Sequence, residues 1–378
     1  METKRVFFIH SSEVEQYSYP ADCPFNTDRA AQLHKVLGSM GLLAVPGAEQ
    51  VAPVAAERAI LEKFHTARYL SALETAARGR WDIDALGMGI GTLDCPVFAG
   101  MYDYAVLASG GTLTGAELIL SGRAEAAFNP SGGYHHARPE LAAGFCYIND
   151  VALACTVLAE AQKRVLYLDV DVHHGDGVAY AFYNRPDVMT ISLHEDPKTL
   201  FPGTGFEEEI GEGPGEGYCV NVPLPVGTFD RAYMDTFEAV VAPLISAYNP
   251  DVFVYELGAD ALAGDPLAHL YLTNNVYAEI TGRLLDFGRP TLMTGGGGYN
   301  VRNTVRAWAL AWSVLCGRDA GADMNLALGG VMLQSTEWQG GLRDRELPVP
   351  DDQRKTVERR LRATVDVIKT KVFPIHGL

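Results

Sequence analysis

The sequence predicts an α/β protein built on a mainly parallel sheet with helices on both faces. Short runs rich in β-branched and aromatic residues alternate with longer Ala- and Leu-rich stretches, a pattern typical of parallel sheets covered on both sides. The most informative run is Val165-Leu-Tyr-Leu-Asp169-Val-Asp171-Val-His173-His-Gly-Asp176. It is an apolar strand that ends in carboxylates and imidazoles, whose burial costs free energy unless a cation compensates.

The short apolar runs predict strands and the Ala- and Leu-rich stretches predict helices. The predicted strands are Val6–Ile9, Ala126–Asn129, Val165–Val172, Val188–Leu193, Tyr218–Val222, Val252–Leu257 and Thr291–Thr294. The predicted helices are Thr27–Met40, Ala55–Phe64, Ala67–Arg78, Pro96–Leu120, Asp150–Lys163, Arg231–Ala247, Asn274–Phe287, Val301–Cys316 and Asp351–Lys371. The charged stretch Gln339–Arg354 reads as a surface loop before the terminal helix, so we expect a single domain over residues 1–378 with a C-terminal helical segment at 351–378.

Composition and charge exclude several classes of protein. The chain has 378 residues and is 48% apolar, which is enough for a well-filled core. Its 47 acidic and 30 basic residues argue against a nucleic-acid binder that follows phosphates. Six scattered cysteines without a C-x-x-C pair indicate reduced thiols. With neither a membrane span nor a signal-peptide core in the sequence, we expect a cytoplasmic protein that binds neither membranes nor nucleic acid.

Polar residues follow four of the predicted strands. Ala126–Asn129 is followed by a Gly-rich turn with His135 and His136, and Val252–Leu257 by Asp260. Four glycines, 295 to 298, and Tyr299 follow the strand at 291–294. Because ligands bind outside the carboxyl ends of parallel strands, these loops are expected to converge on one crevice with the end of the Val165 strand. That convergence favours an enzyme.

The candidate metal ligands are Asp171, His173 and Asp260. Alternate residues of a strand share a face, so Asp171 and His173 project to the same side as Asp169. Two carboxylates and one imidazole neutralise a divalent ion and leave positions for water and substrate, as catalytic zinc requires. Asp260 taken alone would suit a helix N-cap; the shared crevice favours a ligand.

The remaining polar residues suit acid–base chemistry. His135 and His136 are expected to transfer protons, each oriented by a carboxylate, for which Asp169 and Asp176 are available. Tyr299 can donate a hydrogen bond to a developing oxyanion. The alternative for the glycine run, a phosphate-binding loop, lacks the G-x-G-x-x-G spacing and the P-loop lysine. No role is predicted for a further group of histidines, namely His10, His34, His65 and His376.

Seven motifs now carry a resemblance to a known family. In chain order they are Gly-Gly-Tyr134-His135-His136-Ala, Gly144-Phe145-Cys146-Tyr-Ile-Asn-Asp150, Asp169-Val-Asp171-Val-His173-His174-Gly-Asp176-Gly177, Ser192-Leu193-His194, Phe201-Pro-Gly-Thr-Gly205, Gly258-Ala-Asp260 and Gly-Gly-Gly-Gly-Tyr299-Asn300. Together they resemble the zinc-dependent histone deacetylases, nearest the class I, bacterial deacetylase-like and acetoin-utilisation-type members. The resemblance runs from about the first helix to near residue 316.

The resemblance implies an arginase/deacetylase fold with a central sheet of about eight strands. It also implies one Zn²⁺ on Asp171, His173 and Asp260, proton transfer by His135 with Asp169 and by His136 with Asp176, and carbonyl polarisation by Tyr299. It further implies that the acyl-lysine tunnel and its rim are formed by Asp94, Gly144, Phe145, Phe201 and Leu267. Arg29 would line a product channel. Two structural K⁺ sites are implied, the first at Asp169, Asp171, His173, Ser192 and Leu193 and the second at Phe182, Arg185, Val188 and Tyr218.

The chain departs from the family pattern at two positions. Tyr134 replaces the usual Leu, Met or Trp beneath the site, which affects the acyl pocket, and Glu256 replaces a common Gln. We expect an amidohydrolase that removes acetyl groups, with other short acyl or lactyl groups left open, from lysine side chains of proteins. Acetylpolyamine hydrolysis is the alternative, although Leu267 stands where such relatives tend to carry an acidic rim residue.

The residues also argue against two further alternatives. An arginase-like dinuclear manganese site would need carboxylates at Gly175 and Leu262, where the resemblance places second-metal ligands, and neither residue can ligate a metal through its side chain. A pseudoenzyme that acts as a binding module or scaffold would be suggested by the loss of Tyr299 or of a metal ligand. All of these residues are present.

Overall fold

In the residues that the structure describes, the protein forms one eight-stranded sheet in which every pair of neighbouring strands is parallel. The structure, a computed structural model, describes residues 4–318 and 342–378. The strands are β1 Val6–Ile9, β2 Ala48–Val51, β3 Ala126–Asn129, β4 Val165–Asp169, β5 Val188–Glu195, β6 Cys219–Leu224, β7 Val252–Glu256 and β8 Thr291–Thr294. They lie in the order β2-β1-β3-β8-β7-β4-β5-β6. The predicted α/β class and parallel sheet are confirmed.

Helices connect the strands. In the described residues they are α1 Asp28–Ser39, α2 Arg58–Leu61, α3 Ala67–Ala77, α4 Ile83–Gly87, α5 Met101–Leu120, α6 Asp150–Glu160, α7 Asp176–Phe182, α8 Asp230–Thr236, α9 Ala242–Tyr248, α10 Asn274–Asp286, α11 Val301–Leu315 and α12 Asp351–Lys371. A π-helical segment, Phe237–Val241, joins α8 to α9, and a 3₁₀ turn, Phe373–His376, follows α12. No described helix combines the length and apolarity needed to cross a membrane.

The two faces of the sheet pack against different helices. Phe8 belongs to the core that includes α1, α10 and α11 and packs edge-on against Trp312 of α11 at 5.3 Å between ring centroids. Its neighbour Phe7 belongs to the opposite core, with α5 and α6. This alternation between faces is what a buried strand covered on both sides requires. Both cores leave the carboxyl ends of the strands open for functional loops.

Several predicted boundaries were wrong. β2 was missed because it is a short edge strand, Ala-Glu-Gln-Val, with exposed polar residues and one partner strand. The strand predicted to reach Val172 ends at Asp169, and the next N–H groups on the same side, those of Asp171 and His173, donate to the side chains of Asp169 and Asp171. Of the predicted helix at 55–64, only the turn at 58–61 forms. The predicted surface loop at 339–354 is described only from residue 342, and its first three residues lie outside the described part.

Candidate active site

Asp171, His173 and Asp260 meet at the carboxyl edge of the sheet. Asp171 and His173 follow β4, and Asp260 follows the neighbouring strand β7. Nδ1 of His173 lies 3.1 Å from Oδ1 of Asp171 and 3.0 Å from Oδ2 of Asp260. All three residues are buried, and one potential ligand atom of each lies within 4.8 Å of the others. The predicted ligands are therefore brought together.

The donor set fits a divalent cation. Burial and, to a lesser extent, the Asp171 carboxylate raise the pKa of Asp260 to about 7. Keeping both carboxylates ionised in this buried position therefore requires a positive charge between them. Glycine backbone encloses the group: a Cβ on Gly297 would lie 1.9 Å from Oδ2 of Asp260, and one on Gly258 would lie 2.0 Å from Oδ2 of Asp171. The Gly297 N–H donates to Asp171 at 2.6 Å. Two carboxylates and an imidazole match a site with open coordination positions.

His135 and His136 form two parallel His–Asp pairs. Nδ1 of His135 lies 3.0 Å from Oδ2 of Asp169, and Nδ1 of His136 lies 2.8 Å from Oδ1 of Asp176. Because a carboxylate only accepts hydrogen bonds, both Nδ1 atoms carry the hydrogen and both Nε2 atoms point into the site. The two Nε2 atoms are 3.0 Å apart. The two histidines can therefore exchange a proton with a bound reactant.

The two histidines differ in charge. Burial lowers the pKa of His135, but the carboxylates of Asp169 and Glu256 outweigh it and raise that pKa well above the usual value. Burial and the neighbouring His135 lower the pKa of His136 to about 4, despite its bond to Asp176. These opposite pKa shifts favour the charged form of His135 and the neutral form of His136, an arrangement that separates a proton donor from a proton acceptor.

Tyr299 is held by a carboxylate that sequence reasoning missed. Oδ2 of Asp265 accepts the backbone N–H of Tyr299 at 2.8 Å and that of Asn300 at 3.3 Å. The Tyr299 ring stands edge-on to His173, with 6.3 Å between centroids, and packs against Phe145 at 5.7 Å. Burial, with Asp260 next, raises the pKa of the phenol well above 10, so its hydroxyl remains a donor. Nothing in the turn sequence around Asp265 indicated this contact.

Two aromatic rings of the predicted tunnel, those of Phe145 and Phe201, flank the site. The Phe201 ring lies 5.0 Å from His136 and is 47% exposed, while Phe145 adopts a positive φ of 66°. Gly144, at φ 53°, has no room for a side chain, because a Cβ there would lie 2.4 Å from Cδ2 of His136. Asp94 accepts the Gly144 N–H at 3.0 Å and so fixes this turn. The four predicted tunnel and rim residues Phe201, Phe145, Gly144 and Asp94 therefore lie together.

The other predicted residues lie around this centre. Leu267 is half-buried, and its N–H donates to Oδ1 of Asp265 at 3.0 Å. Arg29 is buried, with its guanidinium 4.5 Å from the Phe25 ring centroid, and Nη1 donates to the Gly298 carbonyl at 2.9 Å. The backbone of the loop that carries Tyr299 is therefore hydrogen-bonded to two side chains, those of Arg29 and Asp265.

The residues of the two predicted K⁺ sites lie on neighbouring elements. Asp169 pairs in register with Ser192, and Leu193 follows on the same strand, beside the loop of Asp171 and His173. In the second set the Phe182 carbonyl accepts the Arg185 N–H at 3.0 Å, and the Tyr218 carbonyl accepts the Thr190 N–H at 2.8 Å. Val188 begins β5. Backbone carbonyls of this kind retain a second lone pair for an ion.

The side chain of Glu256 faces the site, a question that the sequence left open. It is fully buried on β7, in register with Asp169. Oε2 accepts from the Thr294 hydroxyl at 3.0 Å, whereas Oε1 has no hydrogen-bond partner among the described residues and lies 3.6 Å from Nδ1 of His135. Burial raises the pKa of Glu256 well above its usual value. Glu256 therefore belongs to the surroundings of His135.

Arg138 was also missed, although it stands two residues after His136. Its Nη2 and Nε donate to Oδ2 of Asp176 at 2.6 and 3.2 Å, while Oδ1 of the same carboxylate holds His136. The guanidinium balances the Asp176 charge, and its bonds together with that of His136 lower the pKa of Asp176 despite burial. The second His–Asp pair thus has a cationic anchor.

Comparison with known proteins agrees with this geometry. Residues 23–315 match the histone deacetylase domain. The chain is 40% identical to histone deacetylase 8 of Xenopus tropicalis over 298 residues, 78% of this chain and 80% of that protein. It is 39% identical to the acetoin utilization protein AcuC of Bacillus subtilis (strain 168) over 326 residues, 84% of each chain.

Solved structures give the same result. The crystal structure of an HDAC homolog from Aquifex aeolicus superposes with a TM-score of 0.82 at 32% identity, covering 94% of this chain and 99% of that one. The crystal structure of an HDAC homolog complexed with SAHA superposes with a TM-score of 0.85 at 31% identity, covering 97% of this chain and 100% of that one. The chain therefore belongs to the histone deacetylase family, has the arginase/deacetylase fold of that family and is a hydrolytic deacetylase.

Proposed function

We propose that the chain is a zinc-dependent lysine deacetylase that removes acetyl groups from lysine side chains of proteins in the cytoplasm. The observation that carries the proposal is the buried Asp171, His173 and Asp260 set beside the His135–His136 pair. These three residues would hold one Zn²⁺. When bound, the ion supplies Lewis-acid activation of the amide carbonyl and of the attacking water.

The histidine pair would manage the protons of the reaction. His136 is neutral, because burial and His135 lower its pKa to about 4, so its Nε2 has a lone pair to accept a proton from the attacking water. Asp169, which accepts from Nδ1 of His135, favours the charged form of that ring, so its Nε2 can donate a proton to the departing amine. The two Nε2 atoms are 3.0 Å apart, so the proton acceptor and the proton donor can contact the same reactant.

Tyr299 would stabilise the developing oxyanion. Its hydroxyl keeps its proton, since burial raises the phenol pKa. The carboxylate of Asp265 fixes the Tyr299 backbone and the ring packs between His173 and Phe145. A donor held in place before the reaction acts on charge that appears only in the transition state, which is how an oxyanion donor raises kcat.

The mouth of the site favours a peptide substrate over a polyamine. Phe145 and Phe201 would line the path of the acyl-lysine stem. Asp94 accepts from the Thr92 hydroxyl and the Gly144 N–H through different oxygens, and each oxygen retains a lone pair for a peptide N–H of the substrate. Leu267 places an apolar side chain at the rim, where an acidic side chain would attract the positive charges of a polyamine.

The inner end of the site favours a short acyl group. Tyr134 is buried beside His135, and its hydroxyl donates to the Tyr104 hydroxyl at 2.7 Å. Its ring also packs against Phe25, 5.8 Å between centroids. A fixed aromatic residue of this kind leaves less room for a long acyl chain. Acetate would leave past Arg29, whose positive charge favours an anion.

We also propose two structural potassium ions. The first would bind at Asp169, Asp171, His173, Ser192 and Leu193, and the second at Phe182, Arg185, Val188 and Tyr218. The register of β4 and β5 and the carbonyl positions described above support both sites. Hard oxygen ligands from the main chain suit a monovalent cation.

A substrate comparison with a rim variant tests the proposal. Purified enzyme should hydrolyse an acetyl-lysine peptide with a kcat/KM at least tenfold above that for acetylated polyamines or for longer acyl-lysine and lactyl-lysine peptides. Asp94→Asn should lower kcat/KM for the peptide more than for an acetylated polyamine, because only the peptide has a backbone N–H that donates to the Asp94 carboxylate. A preference for acetylated polyamines, unaffected by Asp94→Asn, would instead identify a polyamine amidohydrolase.

A further inference from the structure

A second group of metal-ligating side chains lies near the carboxyl end of β1. His10 directly follows β1, Glu15 lies in the 3₁₀ turn Val14–Gln16, and His34 lies on α1. One potential ligand atom of each residue lies within 4.8 Å of the other two. Neither histidine had a predicted role, because only the tertiary structure brings them together. None of the three residues belongs to the active site described above.

His10 is the buried member of this group. Its side chain is 3% exposed, and Nε2 lies 2.8 Å from Oε1 of Glu15. Nδ1 is buried and has no hydrogen-bond partner among the described residues. A buried imidazole with one unpartnered nitrogen is costly for a purely structural histidine. The ring of His34 lies beside it, with centroids 4.7 Å apart.

His34 is oriented as a ligand. Its Nε2 lies 2.8 Å from Oε1 of Gln50. An amide oxygen only accepts, so Nε2 carries the hydrogen and Nδ1 is left with a free lone pair. Metal-binding histidines typically donate their second ring N–H to an oxygen in this way, which fixes the tautomer and the ring orientation.

We propose that His10, Glu15 and His34 bind a divalent transition-metal ion of the zinc type, separate from the catalytic centre. Two imidazoles and a carboxylate are a common zinc donor set, and imidazole favours Zn²⁺, Ni²⁺ or Cu²⁺ over Mg²⁺ or Ca²⁺. Glu15 is 39% exposed on its side chain, so the remaining coordination positions open to water.

The proposed ion would join three elements that are otherwise linked by side-chain contacts. It would connect the end of β1, the 3₁₀ turn and α1. Helix α1 also carries Arg29, whose Nη1 donates to the Gly298 carbonyl next to Tyr299. Binding would therefore stabilise the folded chain and hold the helix on which the Tyr299 loop rests.

Zinc stoichiometry tests the proposal. Enzyme that holds one Zn²⁺ per chain is titrated with ZnCl₂ by calorimetry in a non-chelating buffer, and its thermal midpoint is measured at each zinc concentration. Wild type should bind one further Zn²⁺ per chain, and its Tm should rise with zinc concentration. His34→Gln and Glu15→Gln should bind the second ion at least tenfold more weakly while they retain the first, which shows that they fold.

His269→Gln is the matched control. His269 is an exposed histidine paired with a glutamate, Nδ1 to Oε1 of Glu195 at 2.9 Å, but this pair is part of no three-ligand group among the described residues. This variant should bind the second Zn²⁺ as wild type does. The proposal is overturned if wild type takes no second ion, if His34→Gln takes it with unchanged affinity, or if His269→Gln loses it.

Discussion

Replacing Tyr299 with phenylalanine tests the assignment of the oxyanion donor. The change removes one hydroxyl and leaves the ring, so the contacts with His173 and Phe145 can persist. The backbone is also retained, because Asp265 accepts the N–H of residue 299 and not a side-chain atom. The loss of activity should therefore report the hydroxyl alone.

The expected size follows from the site. The hydroxyl is protonated in the free enzyme, because burial raises the phenol pKa. In such a partly buried site a preorganised donor contributes about 2.7–4 kcal/mol to the transition state. Tyr299→Phe should therefore lower kcat by about 10²–10³. KM and zinc content should change little, since the hydroxyl does little for ground-state binding.

The assay is steady-state deacetylation of an acetyl-lysine peptide, with elemental analysis of the same preparation. A trifluoroacetyl substrate is unsuitable, because its activated carbonyl needs less polarisation. Tyr233→Phe is the control, since Tyr233 is buried and its hydroxyl has no hydrogen-bond partner among the described residues. It should leave kcat within about twofold of wild type. A rise in KM alone for Tyr299→Phe would refute the assignment and make Tyr299 a binding residue.

Three further predictions concern the metal and the His–Asp pairs. Asp260→Ala removes a ligand carboxylate, and elemental analysis should find less than one Zn²⁺ per chain. Arg138→Gln removes the cationic anchor of Asp176, and kcat should fall about tenfold with little change in KM. Arg58→Gln is the control, because Arg58 is as exposed as Arg138 but pairs with the exposed Glu62, and it should have no effect. Strong chelators should abolish activity and hydroxamates should inhibit, while reducing agents should change nothing, as all six cysteines are free.

Each of these predictions has an outcome that contradicts it. An Asp260→Ala enzyme with full zinc and full activity would remove Asp260 from the ligand set. Unchanged kinetics for Arg138→Gln would show that His136 and Asp176 keep their geometry without the guanidinium. Insensitivity to both chelators and hydroxamates would contradict a metal-dependent reaction.

Local pattern predicted which candidate residues would lie close together. Alternation along the predicted strand, which in the structure ends at Asp169, predicted that Asp171 and His173 share a face, and the parallel sheet predicted that the loop of Asp260 lies beside them. Both expectations agree with the geometry. The edge strand β2 escaped prediction, because an exposed four-residue strand with one neighbour buries too little apolar surface to leave a periodic pattern.

The α/β class, the parallel sheet and the family could all be predicted from the amino-acid sequence, since all three depend on periodicity and on short ordered motifs. Three contacts could not be predicted: Glu256 faces His135, Asp265 supports Tyr299, and His10 lies beside His34. These contacts join residues from different elements, and their partners are set by strand register and helix packing. No local pattern encodes a contact between side chains whose distance depends on the whole fold.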